Sequence, residues 1–261
     1  YIDSVADNSL SPALISSYKA QAKIFRALVL FDMVRIYGSI PVVMTVAPDI
    51  TSENVSEVYP QYFPKQSTEE EAYKQIEEDL LDGLANAPDN SPTDKTRFSK
   101  SVAKALLAKI YAEKPIQDYA KVIQYADALA QDGFDLNPSY ADVYQLTADN
   151  KDVLQRNTRE SILEAQFFPG AGNWASWMFG RDLSNYDVNF TWAKWVTPSR
   201  DLIQAYQNEG DNIRMNQSIV YYTTTWSNYY PSSNYPFMFK LRSGMSSIIK
   251  IRYADILLLK A

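Results

Sequence analysis

Residues 97–133 read RFSKSVAKALLAKIYAEKPIQDYAKVIQYADALAQDG. Val102, Ala103, Leu106, Leu107 and Ile110 fall at helical spacing and make one apolar stripe. Pro115 interrupts it, because a proline inside a helix removes a hydrogen bond and clashes with the preceding turn. Val122, Ile123, Ala126, Leu129 and Ala130 make a second stripe, and Gly133 closes it. Alanine stands where the two helices must approach each other. Two short helices in about 34 residues have the size and texture of a tetratricopeptide-like hairpin, and equally of an ordinary αα-hairpin in a helical domain. Either kind buries its apolar faces by stacking, so further helices are expected on both sides.

They are legible upstream. Leu14 to Tyr37 predicts a long helix. Ile24, Phe25, Leu28, Val29, Phe31, Val34 and Ile36 cover most of its circumference, so burial on several sides is expected. Gly38 is placed to end it, and Pro41 prevents its resumption. Residues 42–66 are an irregular connection carrying Pro48, Pro60 and Pro64. Ser67-Thr68-Glu69-Glu70-Glu71 offers two overlapping capping boxes, Ser67 with Glu70 and Thr68 with Glu71. Ala72, Ile76, Leu80 and Leu84 then repeat every four residues until Pro88. Arg26, Asp32 and Arg35 on the first helix, and Arg252 and Asp255 near another, are expected to be buried, paired and structural rather than ligand contacts.

Downstream, from Phe134 to Lys250, helical periodicity mostly lapses. Ser161–Phe168, Ser218–Thr224 and Phe237–Arg242 are strand candidates, and Ser199–Gln207 reads as a short helix. Helical pattern returns at Tyr253 with Ala254, Leu257, Leu258 and Ala261. The expected organisation is a helical scaffold over 1–133, an irregular aromatic-rich ligand-binding region over 134–250, and the start of a further scaffold helix at 251–261, within one structural domain. The fold class is mainly α, with a partly β irregular region.

All five tryptophans fall in that irregular region: Trp174, Trp177, Trp192, Trp195 and Trp226. Tyr229 and Tyr230 accompany them, with Arg181, Asp182, Asn185 and Asn189 nearby. Aromatics without a helical or strand period do not line up on one core face. Mixed with amides, an acid and a guanidinium, they suit a surface that recognises sugars. A ring covers the C–H face of a pyranose, and the polar groups bond its hydroxyls. These eleven residues are the candidate ligand site.

Composition narrows the chemistry. The 261 residues carry 25 Lys plus Arg against 31 Asp plus Glu, a net charge of −6. That balance disfavours a nucleic-acid backbone as partner. The chain has no Cys and no His. Ser-His-Asp or Cys-His catalysis, thiolate chemistry and His- or Cys-ligated metal are therefore excluded. With no group whose unperturbed pKa lies between about 5 and 8, ligand capture is expected to be nearly flat across that range. No Walker loop or GxGxxG occurs. Asp149, Asn150 and Asp152 do not have the spacing of a calcium loop. No cofactor, metal site or catalytic residue is expected. No apolar run is long enough and free enough of charge to cross a membrane as a helix.

Six separated segments, in order, resemble the SusD/RagB family of outer-membrane glycan-binding lipoproteins. They are Ala22 with Arg26-Ala27 and Arg35-Ile36-Tyr37-Gly38-Ser39-Ile40-Pro41; Ile76, Asp79-Leu80 and Leu84; Arg97 to Tyr111; Glu160-Ser161-Ile162-Leu163 with Gln166-Phe167; Pro198-Ser199 through Leu202 and Tyr206 to Asp211 and Arg214; and Arg252-Tyr253-Ala254-Asp255-Ile256-Leu257-Leu258. The resemblance implies a scaffold of tetratricopeptide-like helix pairs under an irregular ligand-binding region. It implies a protein of Bacteroidetes that binds oligosaccharide or other nutrient without cleaving it. The implied partner is a SusC-like TonB-dependent transporter. The implied location is the extracellular face of the outer membrane, through a lipid anchor on a cysteine outside this chain. The family's chains are much longer, so this sequence reads as an internal piece lacking both ends. Two other classes stand beside this reading. One is a glycoside hydrolase using a carboxylate pair, for which no pair is marked by local context. The other is a protein-interaction scaffold built on helical repeats, which would not need the clustered tryptophans.

Overall fold

The computed structural model describes residues 10–149, 152–168, 172, 196–225 and 227–261. The fold is mainly α, and the chain divides into two compact units. The first comprises Tyr1–Ser91, Arg97–Phe134 and Tyr253–Ala261; the second comprises Pro92–Thr96 and Asp135–Arg252.

Within the first unit, α1 (Pro12–Tyr37) packs on α3 (Glu69–Asn86), α3 on α4 (Lys100–Ala112), and α4 on α5 (Tyr119–Gln131). The short α2 (Val55–Val58) lies in the connection between the first pair. Local chemistry fixes the ends. The Ser11 hydroxyl accepts the Leu14 N–H at 3.3 Å, and Pro12 opens α1 where its missing donor costs nothing. Gly38, at φ 72°, ends it in a backbone region that side-chain-bearing residues rarely adopt. Of the two capping boxes the sequence offers, Thr68 with Glu71 forms. Ser99 and Asp118 cap α4 and α5.

The core is built from most of the predicted stripes, although Ile123 and Ala130 of the second stripe are exposed. Ile24, Ile76, Leu80, Val102, Leu106, Leu107, Ile110, Val122 and Leu129 are all buried. Each such side chain contributes roughly 1.5–3 kcal/mol relative to exposure. The helices come close at Gly83, where an added Cβ would lie 2.5 Å from Ile24 Cγ1 and 3.5 Å from the Ala103 methyl. The Tyr111 and Tyr125 rings stack at 5.9 Å, and the Tyr111 hydroxyl donates to Glu77. The last helix, α8 (Tyr253–Lys260), packs on α4 and α5. Lys109 pairs with Asp255, and Lys260 with Asp127.

Two expectations about α1 need correction. It is not buried on several sides: Phe25, Val29 and Ile36 are exposed while Ile24, Ala27, Phe31 and Val34 are buried. Among the described residues its helical neighbours are α3 and α4, which lie against one broad face. Nor are its charged residues uniformly buried. Arg26 reaches the buried Asp79 in a bidentate pair, whereas Arg35 is exposed and pairs with Glu113 at 3.2 Å.

In the second unit, β1 (Ser161–Ala165) pairs antiparallel with β4 (Ile248–Arg252), with irregularities around Leu163. Between them in sequence, α6 (Arg200–Glu209) and α7 (Asn212–Ser218) lead into the ribbon of β2 (Ile219–Tyr222) and β3 (Tyr235–Met238). Gly210 ends α6 in the left-handed conformation, and the Asp211 carboxylate then accepts the Arg214 N–H at 3.0 Å to start α7. That bond, together with the Arg214 guanidinium, holds Asp211 below its usual carboxylate range. The third expected strand, 237–242, begins earlier and stops at Met238. Beyond it the chain turns, which lets Arg242 point inward.

Candidate functional site

Ile219 faces Met238 and Tyr222 faces Tyr235 across the β2–β3 ribbon. The Thr224 N–H donates to the Ser232 carbonyl at 2.8 Å and closes the neck of the connecting loop. An aromatic ladder climbs this ribbon. Phe237 and Tyr235 are buried, their centroids 5.4 Å apart. Tyr230 meets Tyr235 edge-on at 5.6 Å, and Tyr229 meets Tyr230 edge-on at 4.9 Å. Edge-to-face contacts of this kind place the positive ring edge on the negative ring face. The ladder ends at Tyr229, which is 47% exposed.

Two bonds hold its upper rungs. The Tyr230 hydroxyl donates to the Pro198 carbonyl at 2.7 Å. The Arg200 guanidinium donates to the Tyr229 carbonyl at 2.6 Å and lies 4.4 Å from the Tyr229 ring centroid. Ser199 caps α6 with a 3.1 Å bond from the Leu202 N–H, so helix start and tyrosine loop are fastened together. Thr225, Ser227, Asn228, Tyr229, Tyr230, Pro231 and Ser232 line a shallow, open depression here. The arrangement offers one exposed ring with hydroxyl and amide groups beside it, held by a rigid base.

Of the predicted site residues, Tyr229 and Tyr230 are therefore brought together, with different jobs. Tyr229 presents its ring, and Tyr230 fastens the loop. Trp174, Trp177, Arg181, Asp182, Asn185, Asn189, Trp192, Trp195 and Trp226 lie outside the described residues. Sequence reasoning missed Arg200. Its only local signal is the helix start at Ser199, and nothing there couples it to a tyrosine 29 positions later.

A second feature of this unit is a cavity of about 280 Å³. Tyr144, Glu164, Lys240 and Arg252 are among its lining residues, with Val143, Val153 and Met238 as apolar walls. The Tyr140 and Tyr144 rings meet edge-on at 5.4 Å, their hydroxyls 3.5 Å apart. Three cations approach this pair: Lys240 and Arg242 near the Tyr144 ring, and Arg252 near the Tyr140 ring. Burial pushes both phenols up. At Tyr140 the Tyr144 bond and the Lys240 charge outweigh it and draw the group below its usual range. Burial draws the Arg242 guanidinium down to about 10. Arg252 pairs with the buried Glu160 at 3.0 Å.

The comparisons with known proteins agree with one another. Residues 2–112 match the model of a SusD-like family described as starch-binding and associating with the outer membrane. A SusD-like protein of Bacteroides ovatus is 27% identical over 183 residues, which is 66% of this chain and 30% of that protein. A solved SusD superfamily protein of Parabacteroides distasonis matches with a TM-score of 0.72 at 22% identity, over 99% of this chain and 57% of its own. A SusD homolog of Bacteroides thetaiotaomicron matches at 0.70 and 21%, over 95% of this chain and 55% of its own. A helical-scaffold fold with an irregular second unit is thus shared with these structures. The chain is thus similar to SusD-like proteins in sequence over its first part and in fold over nearly its whole length. It spans less than a third of the curated relative and a little over half of the solved ones.

Proposed function

We propose that this protein binds oligosaccharide or polysaccharide nutrient at the cell surface, without cleaving it, for delivery to a SusC-like TonB-dependent transporter. The observation that carries the reading is the match of residues 2–112 to a family described as starch-binding and associating with the outer membrane. The exposed Tyr229 ring, backed by Tyr230 and Arg200, supports it as a fitting edge of a sugar platform. In this reading Trp174, Trp177, Trp192, Trp195 and Trp226 extend the platform, and Arg181, Asp182, Asn185 and Asn189 bond sugar hydroxyls. Residues 134–250 carry the ligand and 1–133 act as scaffold. The protein sits on the extracellular face of the outer membrane, held by a lipid outside this sequence. Among the described residues no helix is long and apolar enough to cross a membrane.

Affinity electrophoresis against starch, pullulan, xylan, mannan and pectin tests the binding. Retardation by at least one polysaccharide, with no new reducing ends, is the expected result. New reducing ends would make the protein a hydrolase, and migration indifferent to every glycan would remove the binding reading. Co-purification of the full-length protein with a TonB-dependent barrel from native outer membranes tests the partner.

A further inference from the structure

We infer that the cavity beside Tyr144 is a second ligand site, selective for a single acidic sugar ring, with the ligand carboxylate at Lys240 and Arg252. The choice of a sugar acid rests on the glycan-binding reading above; the preference for a carboxylate rests on the cavity alone.

Size comes first. At about 280 Å³ the cavity falls just below the roughly 300–1,000 Å³ of sites for drug-sized ligands. One pyranose ring fits such a space and a chain of them does not. The walls suit a sugar: Val143, Val153 and Met238 are apolar, and Ser246, Ser247 and Thr158 supply hydroxyls to the same lining.

Charge decides the ligand class. Lys240, Arg242 and Arg252 converge on one pair of phenols. Glu160 matches the charge of Arg252, and also accepts the Asn137 N–H at 3.1 Å. Arg242 is 6% exposed, and it is held by carbonyl oxygens: its Nε donates to Phe239 O at 2.9 Å and its Nη2 to Gln217 O at 3.0 Å. Lys240 lies against the phenols. Carbonyls and phenols solvate a cation without cancelling its charge. Among the described residues no carboxylate forms an ion pair with Lys240 or Arg242. A chain of net charge −6 thus concentrates positive charge at a half-enclosed cavity. Of the three, Lys240 and Arg252 line the cavity, and an anion entering it would pair with Lys240 beside the already matched Arg252, in low dielectric where such pairing is strong.

Glu164 sets the orientation. It lines the same cavity, and its two oxygens accept the Asn157 N–H and the Gln166 amide, each at 3.0 Å. A second carboxylate is repelled by Glu164, whereas a sugar hydroxyl can donate to it. The ligand therefore places its acid toward Lys240 and Arg252 and a hydroxyl toward Glu164.

Calorimetric titration with D-galacturonate, its methyl ester and D-galactose tests the assignment. Galacturonate is expected to bind with millimolar or tighter affinity, and the two neutral probes at least tenfold more weakly. Lys240→Met should weaken galacturonate tenfold or more while leaving polysaccharide retention at the Tyr229 platform unchanged. Gln155→Trp, at the exposed rim of the cavity, should block galacturonate without removing a cation, and serves if Lys240→Met does not fold by circular dichroism. Equal affinity for acid and ester overturns the proposal. So does galacturonate binding that survives both variants, or its absence in a protein that still retains polysaccharide. A protein that binds neither galacturonate nor any polysaccharide overturns both readings.

Discussion

Removing Arg26 should cost this protein far more stability than removing Asp79, although the two form one pair. Arg26 Nε lies 2.7 Å from Asp79 Oδ2 and Nη2 lies 2.6 Å from Oδ1, a bidentate fork joining α1 to α3. The acid draws the guanidinium above its usual range. The partners differ in access to water: the Asp79 side chain is 3% exposed and that of Arg26 is 32% exposed. In Arg26→Met the carboxylate stays buried with only the Gln75 amide, at 3.2 Å, to solvate it. Breaking a buried pair from that side costs about 3–5 kcal/mol. In Asp79→Ala the guanidinium can turn to solvent, and the loss is that of charge-assisted hydrogen bonds, about 1.5–3 kcal/mol. The double variant Arg26→Met with Asp79→Leu removes both charges and should recover most of the loss, since well-packed apolar replacements of buried pairs are often neutral. Urea unfolding at pH 7, followed by circular dichroism, reads all four proteins. Arg26→Met should lower the midpoint by about 1 M or more at ordinary denaturant slopes. Asp79→Ala proving the more destabilising, or the double variant losing the sum of both singles, would refute the reasoning.

Gly83→Ala should destabilise despite its better helix propensity. Overpacking against buried Ile24 costs about 1–3 kcal/mol against a gain of about 0.5–1 kcal/mol, and Ile24→Ala in the same chain should relieve it. Burial raises Tyr73 from 10.0 to about 12. The unfolded chain therefore loses this proton first, and the stability due to Tyr73 is complete below pH 10 and lost by about pH 12. Tyr73→Phe should lose less stability than the parent across that window in a series of denaturation midpoints. Tyr229→Ala should abolish or sharply reduce polysaccharide retention with unfolding unchanged. Tyr230→Phe should leave retention nearly intact and lower stability by about 0.5–1.5 kcal/mol through its bond to Pro198, and the reverse pattern would exchange the roles assigned to the two rings. Polysaccharide affinity measured at pH 5.5 and 7.5 should agree within a factor of ten, because the chain has no histidine.

The helical part of this protein was legible because its signals are local. Stripes at Val102–Ile110 and Val122–Ala130, the capping residues Ser99 and Thr68, and the stops at Gly38 and Gly133 each act within a turn or two of helix. The observed α1 and α3 lie within about two residues of the expected spans, and α4 and α5 each contain the expected stripe. The irregular region was less so. The strand Ile248–Arg252 went unread, although Ile249, Ile251 and Tyr253 alternate, because its partner Ser161–Ala165 lies nearly 90 positions away. The helix Asn212–Ser218 was hidden by a polar sequence whose start depends on the Asp211 cap.

Residue identity alone determined what chemistry is possible. The chain has no thiol and no imidazole, so chemistry that needs either is closed to it. Only tertiary structure decided which side chains meet. Arg26 finds the buried Asp79 while Arg35 pairs with Glu113 at the surface, because α3 covers one face of α1. Tyr230 is fastened while the Tyr229 ring stays exposed because Pro198 and Arg200 arrive beside them at the start of α6. Lys240, Arg242 and Arg252 converge on Tyr140 and Tyr144 because the chain leaves β3 in a turn and returns along β4. Such meetings depend on contacts between positions tens of residues apart, and no local propensity records them.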